Sequence, residues 1–337
     1  MSATTDYYCI DNNYSEEQIL IRNATRDWVK KHVKPHIEEH FQKAETPSYL
    51  IKELSNIGGF GLIIPENYGG VGADYISFGL MMQELEKGDS SIRVISSIQT
   101  SLVMYAIYKF GSEEQRTKYL PMLATGEMLG AFGLTEPDFG SNPSSMHSYY
   151  KEDGDNIVIN GSKMWIGNAE TADIAIIWIK DESAEVRGVI VETKNITNFT
   201  TTTLKDKWSF RSSKTGELVF SDSVVSKEQV LTKSTSIQNA YECLNIGRYA
   251  VAWGSIGIAM ECYETALQYS KERIQFGKPI GSNQLIQKKL TDMITEITKA
   301  QLLCYQLGKL MDEGKANYQQ ISMAKRNNVK MAQSIAR

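Results

Sequence analysis

From residue 15 the apolar positions recur at helical spacing. Ile19, Ile21, Trp28 and Val29 make one face, and Ser15 with Gln18 three residues on forms a capping box. The pattern predicts helix over 15–57. The stretch 58–72, GGFGLIIPENYGGVG, is rich in glycine and must be an irregular connection. Helix is expected again over 75–87, broken at Gly88, and then from a cap at Ser90 to about Phe110. Ser112 with Gln115 starts another, which ends near Gly126. At about residue 131 the period shortens. Residues 156–166 hold two β-type runs joined by Asn160-Gly161, a strong hairpin signal. Further strands are expected at 174–179, 188–192 and 217–220.

Helix returns over 237–271, apolar almost all round, with Gly247, Ala250, Ala252, Gly254, Gly257 and Ala259 along it. Arg248 and Glu261 argue against a membrane span. A central bundle helix fits better, its small residues letting neighbours approach closely. Amphipathic segments follow at 283–313 and 317–337. The expected fold is α+β, with an N-terminal helical domain (1–130), a middle antiparallel β domain (131–232) and a C-terminal helical bundle (233–337). The bundle is expected to be incomplete, because ISMAKRNNVKMAQSIAR carries no glycine cap or polar tail.

Composition narrows the class. A chain of 337 residues supports two or three cores, and 42% hydrophobic with 23% charged residues is ordinary for a soluble protein. The 36 basic and 40 acidic side chains are mixed, with no basic stripe, which argues against nucleic acid as a partner. MSATTDYYCIDNN reads neither as a secretory signal nor as an arginine-rich transit segment. The expected location is a bacterial cytoplasm, or a mitochondrial matrix in a eukaryote. Cys9, Cys243, Cys262 and Cys304 lack metal-ligand spacing and read as buried thiols. The 4 histidines form no metal or relay pattern, so no metal is expected.

Common catalytic signatures are missing: no GxGxxG after a strand, no P-loop, no HExxH, no GxSxG. The informative stretch is 130–141, GAFGLTEPDFGS. Amides and hydroxyls exposed at such a strand end can hydrogen-bond a planar heterocycle; the competing reading is a plain turn at a domain boundary. MWIGN at 164–168 offers an indole that either packs in a core or covers a ring. Arg248 interrupts an apolar helix, and a buried guanidinium needs either an acid or an anionic ligand. Arg93 and Ser97 share one face of a helix otherwise full of Ile, Val, Leu and Met. That arginine either snorkels to solvent or holds an anion.

Taken together, GLTEPDFGS, INGSKMWIGNA and ERIQFGKPI with Gln284 resemble the acyl-CoA dehydrogenases in order and spacing, over nearly the whole chain from about residue 15. SLVM at 101–104 with GSEEQR ending at Arg116, CLNIGRYAVAW at 243–253 and NQLIQKKL at 283–290 resemble the glutaryl-CoA dehydrogenase branch. The resemblance implies one FAD per subunit, usually in a homotetramer with a four-helix C-terminal bundle. Carried over by position, Phe132, Leu134, Thr135, Trp165, Ile166 and Gly167 hold the flavin ring, and Ser141 contacts the CoA ester. Arg273 and Gln284 match the pair that reaches the FAD diphosphate of a neighbouring subunit. Arg248 stands beside the substrate. Residues matching Glu86, Arg93 and Ser97 bind the distal carboxylate of a glutaryl group, the glutamate tuning the arginine; Val94 departs from the serine often found there.

The implied reaction oxidises glutaryl-CoA and releases CO2 to leave crotonyl-CoA, with an electron-transferring flavoprotein as acceptor. In that branch the base is a glutamate in a Tyr-Glu-Gly-Thr stretch, which this chain does not contain. The expectation is that the base lies beyond Arg337, that the chain is a piece of a longer protein, and that alone it has little dehydrogenase activity. Three alternatives stand: a dehydrogenase for another short acyl-CoA, a glutaryl enzyme that does not decarboxylate, and a non-catalytic flavin- or CoA-binding protein.

Overall fold

The structure, a computed structural model, describes residues 5–337. It divides into two compact units. One comprises the residues up to Lys34, Asp74–Arg93 and Arg248–Arg337; the other comprises Pro35–Ala73 and Val94–Gly247.

The first unit is helical. It contains α1 (Glu16–Trp28), α4 (Tyr75–Gly88), the part of α8 (Ile237–Glu272) from Arg248 on, α9 (Gln284–Asp312) and α10 (Tyr318–Ala336). The Ser15/Gln18 capping box forms as expected, and Asn317 with Gln320 makes a second one at α10. The small residues of α8 serve close packing. A Cβ on Gly257 would lie 2.1 Å from the Gln83 carbonyl oxygen, and one on Gly79 would lie 2.3 Å from the Trp253 ring. Buried Asn328 ties the bundle together by donating to the Ala252 carbonyl at 3.0 Å and to the Cys304 sulfur at 3.1 Å. No helix among the described residues is long and apolar enough to cross a membrane.

Helix does not run unbroken over 15–57. After α1 the chain makes a wider turn over Val29–Val33, closed by a hydrogen bond from the Lys34 N–H to the Val29 carbonyl at 3.0 Å. It resumes as α2 (Ile37–Lys43) and α3 (Ser48–Ser55). Pro35 and Pro47 explain the breaks, since proline has no N–H and disfavours helix in the residue before it. The cap of α5 (Ser90–Ser97) is Asp89 rather than Ser90: its carboxylate accepts from the Ser91 and Ile92 amides at 2.7 and 3.1 Å. Cys9 is exposed, against expectation, because its left-handed turn (φ 52°) sends the next residue, Ile10, inward.

The second unit pairs α2, α3, α6 (Tyr105–Phe110) and α7 (Glu113–Ala124) with a seven-stranded sheet. The strands are β1 (Gly130–Gly133), β2 (Tyr149–Asp153), β3 (Asn156–Gly167), β4 (Ile174–Lys180), β5 (Val186–Glu192), β6 (Phe199–Thr203) and β7 (Thr215–Ser226). They run in the order β1-β4-β2-β3-β7-β6, with β5 also on β4. The pairing is antiparallel except that β1 lies parallel to β4 and β2 touches β4 in parallel at one position. Buried Gln99 sets the entry into β1, donating to the Leu123 and Met128 carbonyls and accepting from the Gly130 N–H at 2.8 Å.

The hairpin expected at Asn160-Gly161 is not there. Both residues lie inside β3, and the chain reverses instead between Asp153 and Asn156, at Gly154 (φ 59°). Asn160 exchanges hydrogen bonds with Asp222 of β7, and the register slips by a bulge between Ile159 and Gly161. A Cβ on Gly161 would lie 2.2 Å from the Ser148 hydroxyl, so the glycine marks a close approach rather than a turn.

Candidate active site

In the second unit, the end of β1 and the bulged end of β3 come together. The Met164 N–H donates to the Thr135 carbonyl at 2.8 Å, and the Lys163 ammonium donates to the Leu134 carbonyl at 3.2 Å. With both carbonyls turned inward, the Thr135 N–H and hydroxyl donate to no other described residue. This edge therefore offers hydrogen-bond donors, which matches the nitrogen and oxygen acceptors along a flavin's pyrimidine ring. Beside it, Trp165 sits in the left-handed region (φ 64°), at a register shift between Lys163 and Ile166. That backbone is costly for a tryptophan and leaves its indole 62% exposed. A donor edge next to an open indole face fits FAD.

Most other residues of the expected ring site are buried. Phe132 is buried with its ring 6.1 Å from that of Trp178, and Leu134 and Ile166 are buried as well. Gly167 is a close approach, its missing Cβ 2.4 Å from Ile98. Ser141 lies exposed just past Gly140, whose Cβ would come 3.9 Å from the Thr135 methyl. The Ser97 hydroxyl is buried 3.2 Å from that of Ser101.

Behind this edge lies a pair that the sequence reading passed over. Lys163 is fully buried, with its ammonium 2.8 Å from Glu136, and Glu136 also accepts from the His147 and Ser148 amides at 2.7 and 3.0 Å. Burial pulls the Lys163 ammonium down to about 8. Burial pushes the Glu136 carboxyl up, but the lysine's charge and the hydrogen bonds outweigh it and hold the group below its ordinary value. A signal existed. Lys163 stands at an even spacing from the inward-facing Ile157 and Ile159 of β3, where alternation demands an apolar residue.

In the first unit, Arg93 and Glu86 form a buried ion pair, 4% and 5% exposed. Gly254 of α8 faces both: a Cβ there would lie 2.7 Å from a Glu86 carboxylate oxygen and 3.2 Å from Arg93 Nε. Arg248 is half-buried on α8. Arg273 and Gln284 are exposed on either side of the small hairpin of β8 (Ile274–Gln275) and β9 (Lys278–Pro279), whose tip residue Phe276 is 99% exposed.

Comparison with known proteins bears on the chain as a whole. The acyl-CoA dehydrogenase N-terminal domain matches residues 15–127, the middle domain 131–223 and the C-terminal domain 237–337. A glutaryl-CoA dehydrogenase of Desulfococcus multivorans is 35% identical over 320 residues, covering 91% of this chain and 81% of its own length. An acyl-CoA dehydrogenase of Bacillus subtilis is 36% identical over 315 residues, covering 92% and 83%. The crystal structure of a glutaryl-CoA dehydrogenase from Mycobacterium smegmatis in complex with FADH2 is similar with a TM-score of 0.97 at 38% identity, over 99% of this chain and 86% of that one.

Proposed function

This chain belongs to the acyl-CoA dehydrogenase family, FAD-dependent oxidoreductases of acyl-CoA thioesters, and from that premise we propose that its acyl group is glutaryl. The observation that carries this reading is Arg93. A guanidinium buried to 4% exposure has a use in a site for a distal carboxylate, which its planar fork can bind through two parallel hydrogen bonds. A plain fatty acyl chain would call for an apolar pocket end instead.

On this reading Arg93 holds the distal carboxylate and Glu86 orients the guanidinium. Ser97 and Arg248 line the acyl group, and Ser141 contacts the CoA ester. The Thr135 hydroxyl and N–H hold the ring edge, while Trp165 covers a ring face. FAD, when bound, supplies the acceptor for the β hydrogen. The oxidised glutaryl chain then loses its distal carboxylate as CO2, because the electron pair left behind delocalises into the enoyl thioester, and protonation gives crotonyl-CoA. We assign no acid among these 337 residues as the base for the α proton. Arg273 and Gln284 are proposed to reach the FAD diphosphate of a neighbouring copy in a homotetramer. An electron-transferring flavoprotein is the proposed electron acceptor.

One observation favours a second reading. Glu86 already neutralises Arg93, so the pair could be a structural element beside a pocket for an uncharged short acyl chain. Binding separates the two. Glutaryl-CoA and butyryl-CoA are titrated into the FAD-loaded protein and into its Arg93→Ala variant, with the flavin spectrum as readout. The glutaryl reading expects wild type to favour glutaryl-CoA by about tenfold or more and the variant to lose that preference. Equal affinities in wild type would favour the second reading.

A further inference from the structure

We propose that Lys163 and Glu136 are positioning residues for FAD: their buried ion pair turns the Leu134–Thr135 edge so that it presents donors to the flavin ring. This rests on the reading of Thr135 and Trp165 as the ring platform.

An ammonium has three hydrogens to place. Lys163 places its own near Glu136 at 2.8 Å, the Leu134 carbonyl at 3.2 Å and the Met146 sulfur at 3.7 Å. Glu136 in turn gathers the amides of His147 and Ser148. The pair therefore ties the end of β1, the turn after it, the 146–148 loop and β3 to one point. Its stem is equally constrained, since a Cβ on Gly133 would lie 3.2 Å from Lys163 Cγ. The two residues that follow Lys163 are the ones that meet the proposed site: Met164 takes the Thr135 carbonyl, and Trp165 holds its left-handed backbone.

The donor edge depends on this arrangement. If the Leu134 carbonyl were released from Lys163 it could rotate outward, and an acceptor would then face the acceptor atoms of the ring. Stability alone does not require the pair, because well-packed apolar residues of similar volume usually do as well in a protein core. A buried ion pair spent on the backbone behind a binding edge is better accounted for by positioning.

The test uses Lys163→Met/Glu136→Gln, which removes both charges together and keeps an acceptor for the loop amides, with Glu136→Gln alone as the milder variant. FAD affinity, the visible circular dichroism and midpoint potential of the bound flavin, and the Tm of the FAD-free protein are measured. The expected result is a near-native FAD-free Tm with FAD bound about tenfold more weakly and an altered visible dichroism. Unchanged affinity, dichroism and potential in a folded variant would overturn the proposal. Should the double variant not fold, the same readouts on Glu136→Gln decide it. Thr135→Ala and Trp165→Ala separate the two layers. If neither perturbs FAD, the platform reading itself fails; if both do and the pair variants do not, only the positioning role fails.

Discussion

Arg93 and Glu86, seven residues apart, form a buried ion pair directly against Gly254 of α8. The three are coupled. The pair needs the missing side chain at 254 for room, and the carboxylate needs the guanidinium to be tolerated where it lies.

Removing one charge exposes that coupling. Glu86→Ala leaves an unpaired guanidinium 4% exposed and should cost ~3–5 kcal/mol in urea unfolding. If Arg93 holds the substrate's carboxylate, glutaryl-CoA should raise the Tm of this variant more than that of wild type, and butyryl-CoA should not. Equal shifts from both thioesters would count against the glutaryl reading.

Gly254→Ala tests the fit from the other side. Its Cβ would lie 2.7 Å from a Glu86 oxygen, so one or both partners must move, at a cost of ~1–3 kcal/mol. Preference for glutaryl-CoA should fall with it. Gly257→Ala should be worse for stability, because the atom in its way, 2.1 Å off, is the Gln83 backbone carbonyl and cannot swing aside. Comparing the two denaturation midpoints checks the order.

Acid should weaken the second unit through Glu192. Hydrogen bonds from Lys118 and Tyr119, each 2.7 Å long, hold this carboxyl down at about 2. A carboxyl whose folded value is depressed stabilises the fold above its ordinary value near 4.5, and that contribution is lost as pH falls toward 2. Glu192→Gln should therefore flatten the dependence of the urea midpoint on pH across this window and lower it at pH 7. An unaltered slope would mean that the hydrogen bonds do not hold in solution.

Glutaryl-CoA added without oxygen to the FAD-loaded chain tests the assignment of no base. The flavin spectrum should stay oxidised. Bleaching would place a base among these residues, and the acids facing the bound thioester would become the positions to substitute.

Much of this protein is written locally. Ser15 with Gln18 and Ser112 with Gln115 read as capping boxes and form them, since a cap depends on residues three positions apart. The glycines and alanines of α8 announced a helix that neighbours approach closely. The order of helices, strands and helices followed from the change of period at about residue 131, and Arg93 and Thr135 stood out by residue type and place.

Tertiary structure decided the rest. Asn160-Gly161 has the chemistry of a turn, yet a whole partner strand, β7, pairs past it and Ser148 leaves no space for a side chain, so it became a bulge. Lys163 and Glu136 are 27 residues apart, and although the alternation of β3 marks Lys163 as inward-facing, nothing local names its partner. Only the folded sheet shows that the pair is buried and spent on a backbone carbonyl. Glu86 and Arg93 likewise find Gly254 across more than 150 positions of sequence. Local patterns report the preferences of neighbouring residues. Burial, and the cost of a charge within it, depend on which distant segments arrive, and no window of sequence contains them.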